Sequence, residues 1–212
     1  MGCGMNTEIK NLIVFESDNK FPIEVMECMY KRIISVAGFF GYTYLPKEIR
    51  LHLHICDTDR FEKIKNTTNL VGMENVIAFT CNINHIYVTD YKTVEEQFNL
   101  SSYVAVIVHE CIHVLQYYFS RISQNEYIWL YESIACYLSG QKETYNNYTD
   151  IKWDSFVRDF YGVPNCYGIA YKFGEILFNA YPNSILNIIK SPQQYEKQLD
   201  RLFNMEIHDN KI

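Results

Sequence analysis

His109, Glu110 and His113 stand in the middle of an apolar run, YVAVIVHECIHVLQYYF, from Tyr103 to Phe119. Buried imidazoles and carboxylates are costly unless something pairs with them. Two histidines four positions apart on a helix project from one face and can reach one ion. A carboxylate directly after the first histidine sits about 100° further round, so it points beside that ion rather than at it. The spacing H-E-x-x-H therefore implies two metal ligands, His109 and His113, and a base, Glu110, placed to act on a metal-bound water.

A catalytic zinc takes three protein ligands and a water, so a third donor is required. The extended pattern H-E-x-x-H-x-x-G-x-x-H is excluded, because Gln116 and Phe119 occupy its Gly and His positions. Glu132 lies in WLYESIACYL, a second apolar segment where a lone carboxylate again needs a partner. Glu126 falls in a polar stretch and reads as solvated. From His113 the first helix runs about six residues further, or roughly 9 Å, and a returning antiparallel helix regains that depth after a similar count, near Glu132.

The elements that must position these groups divide into a strand-rich first half and a helical second half. Ile9 to Phe15 reads as a strand and Pro22 to about Phe40 as a helix. Ile49 to Cys56 alternates as a half-buried strand with Arg50, His52 and His54 on one face. Asp57 or Asp59 is suited to cap a short helix through Phe61 and Ile64. Strands at Val76–Thr80 and His85–Val88 flank the turn-prone Asn82-Ile83-Asn84. Ser101 or Ser102 is the expected cap of the motif helix, which runs to about Ser120. A polar loop from Arg121 to Glu126 leads to a helix over Ile128–Ser139 with Gly140 as its C-terminal cap. Further helices are expected near Tyr167–Ala180, Ser184–Lys190 and Pro192–Phe203. With no repeat or Pro/Gly-rich linker, residues 1–212 read as one α+β domain. A mixed-sheet lobe at about 8–100 precedes a helical lobe at about 101–212, with the motif helix at the junction.

The 212 residues are 48% hydrophobic, 21% charged and 16% aromatic, with a net charge of −6. The acidic balance and lack of a Lys/Arg cluster beyond Lys31-Arg32 argue against nucleic acid as a partner. No apolar run reaches the roughly 18 residues that span a bilayer, and the motif run carries His and Glu. No secretory signal is visible at the N-terminus, so a cytoplasmic location is expected. Met1-Gly2 lacks the Ser or Thr that a myristoylation start wants, Asn6 standing there. The seven cysteines are scattered singly with no C-x-x-C, as expected of core residues in a reducing compartment rather than of a disulfide framework. Without a secretory signal, the sequons at Asn66 and Asn147 read as chance matches.

The chain resembles the gluzincins, the peptidase MA-like zinc metallopeptidases. Their pattern is H-E-x-x-H, eighteen residues, then Glu, often within W-L-x-E-x-x-A-x-Y. Here HECIH is followed by eighteen residues and then Glu132, inside Trp129-Leu130-Tyr131-Glu132-Ser133-Ile134-Ala135-Cys136-Tyr137. Upstream, IAFTCNINHIYVT is similar to the edge strand that lines the family's substrate cleft. Downstream, Tyr167-Gly168-Ile169-Ala170-Tyr171-Lys172-Phe173 is similar to its tyrosine-bearing helix start. The likeness spans roughly Ile49 to Ala180. Two departures stand out. Cys136 replaces the acid that several members use to orient a histidine ligand, and Gly72-Met73-Glu74-Asn75 only echoes the aminopeptidase segment, without its Ala.

The resemblance implies a zincin-like fold and a metallopeptidase acting on a peptide or protein substrate, with no nucleic acid or membrane partner. It implies Zn2+ on His109, His113 and Glu132, Glu110 as general base, and Tyr167 as the second electrophile, with Tyr171 in reserve. An extended peptide could add to a strand edge near Ile77–Val88, to which His85 could contribute. The alternative reading is a non-catalytic zinc-stabilised domain that binds a peptide or protein. Two histidines and a carboxylate also suit non-haem iron.

Overall fold

The computed structural model describes residues 7–9, 13–17, 23–43, 49–68, 76–121, 126–142 and 151–208. Readings made on Met1-Gly2, the Gly72–Asn75 echo and the Asn147 sequon lie outside them. The chain divides into two compact units, Met1–Leu115 and Gln116–Ile212. The division falls inside the motif helix, about fifteen residues beyond the lobe border read from sequence. The secondary structure is mixed α+β.

The first unit holds β1 (Thr7–Ile9), β2 (Ile13–Ser17), α1 (Ile23–Phe39), β3 (Leu51–Cys56), α2 (Thr58–Thr67), β4 (Ala78–Cys81), β5 (His85–Thr89), α3 (Tyr91–Val94) and most of α4 (Leu100–Ser120). Its sheet has the order β1-β2-β3-β5-β4. The two inner pairings, β2 with β3 and β3 with β5, are parallel, and the outer strands β1 and β4 run antiparallel to their neighbours. The single strand expected over Ile9–Phe15 is corrected to two, because Ile9 pairs antiparallel with Ile13. The polar Lys10-Asn11 interrupts the apolar run at that point.

β3 is flanked on both sides, and this decides its burial. Leu51, Leu53 and Ile55 form one core face, with at most 1% exposure. The opposite face is covered too at Cys56, which clusters with Phe61 of α2 and Phe79 of β4. The half-buried strand read from the alternation is thus buried nearly throughout. Arg50 precedes it. Asp57 is the cap of α2, its side chain accepting from the Arg60 N–H at 2.8 Å.

The β4–β5 hairpin turns through Asn82 and Ile83, both left-handed (φ 48° and 70°). Asn tolerates that region, whereas a β-branched Ile does so only under strain. The hairpin is tied to β3 by Asn84, which donates its side-chain amide to the Arg50 carbonyl at 2.8 Å and accepts from the His52 N–H at 2.9 Å. α4 is capped by Asn99 rather than by Ser101 or Ser102. Its Oδ1 accepts from both the N–H and the hydroxyl of Ser102, at 2.9 and 3.0 Å. A short polar side chain just outside the helix can fold back over the first free N–H groups, whereas a serine inside it cannot.

The second unit carries the end of α4, then α5 (Ile128–Ser139), α6 (Trp153–Arg158), α7 (Cys166–Ala180), α8 (Ile185–Lys190) and α9 (Glu196–Phe203). α5 ends as expected on Gly140, left-handed at φ 66°. The Pro192–Phe203 helix is broken: Pro192–Gln194 is one 3-10 turn, and α9 begins at Glu196. α6 is too short for periodicity to reveal. Its Trp153 and Phe156 enter an aromatic core with Trp129, Phe173 and Phe203. α5 and α7 meet backbone to side at Gly174, where a Cβ would lie 2.2 Å from the Ser133 carbonyl oxygen. Among the described residues, no helix is long and apolar enough to cross a membrane.

Candidate metal centre

α4 presents His109 and His113 one turn apart, both buried, at 4% and 9% exposure. Their Nε2 atoms approach to 3.0 Å, with the rings edge to face. Further along the same stripe, Gln116 is fully buried and donates its amide to the Tyr131 carbonyl at 3.0 Å. The Ser120 and Tyr131 hydroxyls share a hydrogen bond at 3.1 Å. These two bonds join the end of α4 to α5 at the residue before Glu132. Gln116 is the position where the excluded His-rich pattern wants glycine, and here it holds the helix hairpin together.

Glu132 is buried at 7% on α5. Ligand atoms of His109, His113 and Glu132 all lie within 4.8 Å of one another, a grouping that could hold a metal ion. The donor set fits zinc chemistry. Two imidazole nitrogens and one carboxylate oxygen would make a three-ligand site that leaves a coordination position for water. With zinc–nitrogen bonds of about 2.0–2.1 Å, two ligands of a tetrahedral ion sit roughly 3.3 Å apart, close to the Nε2 separation here. Three buried polar groups brought together in an apolar surrounding also need a compensating charge or proton.

Glu110 is half-buried on the neighbouring face of α4. Its Oε2 accepts a 2.8 Å hydrogen bond from the Thr80 hydroxyl, which also lies 3.3 Å from the Glu110 carbonyl oxygen. Thr80 belongs to β4, one of the two edge strands among the described residues, so that edge and the carboxylate are held together. A hydroxyl donating to one carboxylate oxygen holds that oxygen and leaves the other to accept elsewhere.

The Tyr161 hydroxyl donates to Glu132 Oε1 at 3.3 Å. Tyr161 sits in the 3-10 turn Phe160–Gly162, is 48% exposed, and packs against Tyr167 at a ring distance of 6.4 Å. Tyr167 is half-buried at the start of α7, edge-on to Phe160. Tyr171 packs on Tyr137, and burial, then the Glu175 charge, push its phenol pKa up. Cys136 is fully buried. Burial also raises the pKa of the Cys111 thiol, next in sequence to Glu110, which keeps it inert.

Sequence reasoning missed Thr80 and Tyr161. Thr80 had a faint signal, being two residues from the buried Ala78 and so on the same side of its strand. Tyr161, in an aperiodic DFYG segment, had none. His85, expected near a cleft edge, is on the inner strand β5 and bonds across to β3. Compared with family profiles, curated proteins and solved structures, the chain matches none of them.

Proposed function

We propose that the chain is a zinc-dependent metallopeptidase on a zincin-like fold, hydrolysing a peptide bond with Glu110 as general base. The convergence of His109, His113 and Glu132 to within 4.8 Å carries this reading. The gluzincin-like spacing and the edge strand beside Glu110 support it.

His109, His113 and Glu132 would hold the ion, which when bound supplies a water of lowered pKa and a Lewis acid for the scissile carbonyl. Glu110 accepts the water proton and passes it to the departing amine. Thr80 keeps that carboxylate in one orientation through both transfers. The backbone of β4 pairs with an extended substrate and sets its carbonyl in register with Glu110. The developing oxyanion needs a further donor. Tyr161, already on Glu132, is the better placed phenol, with Tyr167 behind it as the alternative read from sequence.

The test is Glu110→Gln against Glu132→Ala, each assayed for zinc content and for cleavage of a peptide library. Glu110→Gln should keep its zinc and lose turnover, and Glu132→Ala should lose both. Zinc loss in Glu110→Gln, or full turnover without Glu132, removes the roles assigned here. Silence of the wild-type protein under zinc-replete conditions would favour a non-catalytic zinc domain instead.

A further inference from the structure

A second group of imidazoles lies on the sheet of the first unit, away from Glu110. β3 pairs in register with β5, His52 opposite His85 and His54 opposite Tyr87. His85 and Tyr87 therefore share a face with His52 and His54, whereas Leu53, Ile86 and Thr80 point to the other. On the histidine face, His54 Nδ1 meets Glu16 Oε2 at 2.9 Å, and His54 Nε2 meets His85 Nδ1, also at 2.9 Å. His52 stacks on the His85 ring at 4.5 Å.

The Glu16 carboxylate can only accept, so it draws the proton of His54 to Nδ1 and leaves the Nε2 lone pair aimed at His85. A carboxylate behind an imidazole whose other nitrogen is free is the arrangement that orients metal-bound histidines. His85 can present its Nδ1 lone pair by moving its proton to Nε2, a change of tautomer without change of charge. Burial lowers the pKa values of His54 and His52, which favours the neutral, ligating form. His85 and Glu16 are partly open to solvent, so an ion has a way in. The Arg60 guanidinium, 3.9 Å from Glu16, opposes a cation but is itself partly solvated, its side chain 40% exposed.

We propose that His54 Nε2 and His85 Nδ1 form a second transition-metal site, a two-imidazole clamp with Glu16 behind it, for a divalent ion of the zinc or copper class. Solvent completes its coordination, because no third His, Cys, Asp or Glu donor converges there among the described residues. Two borderline nitrogen donors select such ions over magnesium or calcium. The site does not depend on the peptidase reading, since it shares no residue with the α4–α5 centre.

The experiment is a Zn2+ titration of the full chain with nitrogen-15 in its histidines, of which there are six. Zinc should shift Nε2 of His54 and Nδ1 of His85 to metal-bound positions in wild type and in His113→Ala, and should not shift His54 in His85→Ala or His85→Gln. Glu16→Gln should weaken this second binding by about tenfold. The His109 and His113 signals report the other centre separately, so its failure is distinguishable. His54 and His85 signals that stay put at a large excess of zinc overturn the proposal and leave only a hydrogen-bonded chain.

Discussion

The two imidazole pairs differ in how they are made. His109 and His113 come from one helix, meet Nε2 to Nε2, and stand edge to face. His54 and His85 come from two strands, meet Nε2 to Nδ1, and lie nearly parallel at 10°. In the helical pair the carboxylate, Glu132, converges on the nitrogens themselves, within 4.8 Å. In the sheet pair Glu16 stands behind one ring and sets its tautomer. The lesson is that the same residue types bring three candidate donors together or only two, according to where the carboxylate approaches.

The comparison can be broken most forcefully at the helical pair. Glu110→Gln should lower kcat by about 10²–10⁴ with zinc content unchanged, read by steady-state kinetics and elemental analysis. Removing each pair's carboxylate then contrasts them directly. Glu132→Ala should weaken zinc binding by more than the roughly 10–100-fold that loss of an outer partner costs, whereas Glu16→Gln should stay within that range. Equal losses measured by calorimetry would erase the distinction. Gly174→Ala should destabilise by about 1–3 kcal/mol in urea unfolding, since its Cβ meets the Ser133 carbonyl. Because Ser133 follows Glu132, zinc affinity should fall with it. Tyr161→Phe should cost about tenfold in kcat and Tyr167→Phe less; the reverse order returns the electrophile's role to Tyr167.

The smallest effect is one of pH. The folded pKa values of His54 and His52 lie below the unfolded value near 6.5, mainly through burial. Below that value the unfolded chain binds more protons, so stability present at pH 7 is lost as pH falls toward the lowered folded values. The melting temperature should drop between pH 7 and pH 5, and His54→Gln should flatten that slope. An unchanged slope would mean that other groups govern the acid side.

What could be read from sequence follows from the same contrast. The helical pair was legible because four residues along a helix is a fixed geometry, and Glu132 because two apolar helices of known rise return to a common depth. α5, α7 and β5 fell close to their expected bounds for the same reason of periodicity. The sheet pair was not legible: His52 and His54 showed their alternation, but no local pattern states that β3 lies beside β5 in the register that sets His54 against His85. Thr80 was only faintly marked and Tyr161 not at all, as each acts on a residue at least 29 positions away. α6 was lost because its six residues are fixed by aromatic packing, not by propensity.

The hairpin tip at Ile83 leaves a practical handle. An L-side chain branched at Cβ pays about 1–3 kcal/mol to hold a left-handed backbone, and Ile83 is 47% exposed, so little packing offsets it. Glycine at that point should relieve the torsion and raise the yield of folded protein without touching any imidazole, giving a sturdier parent in which harsher variants of either centre can still be prepared.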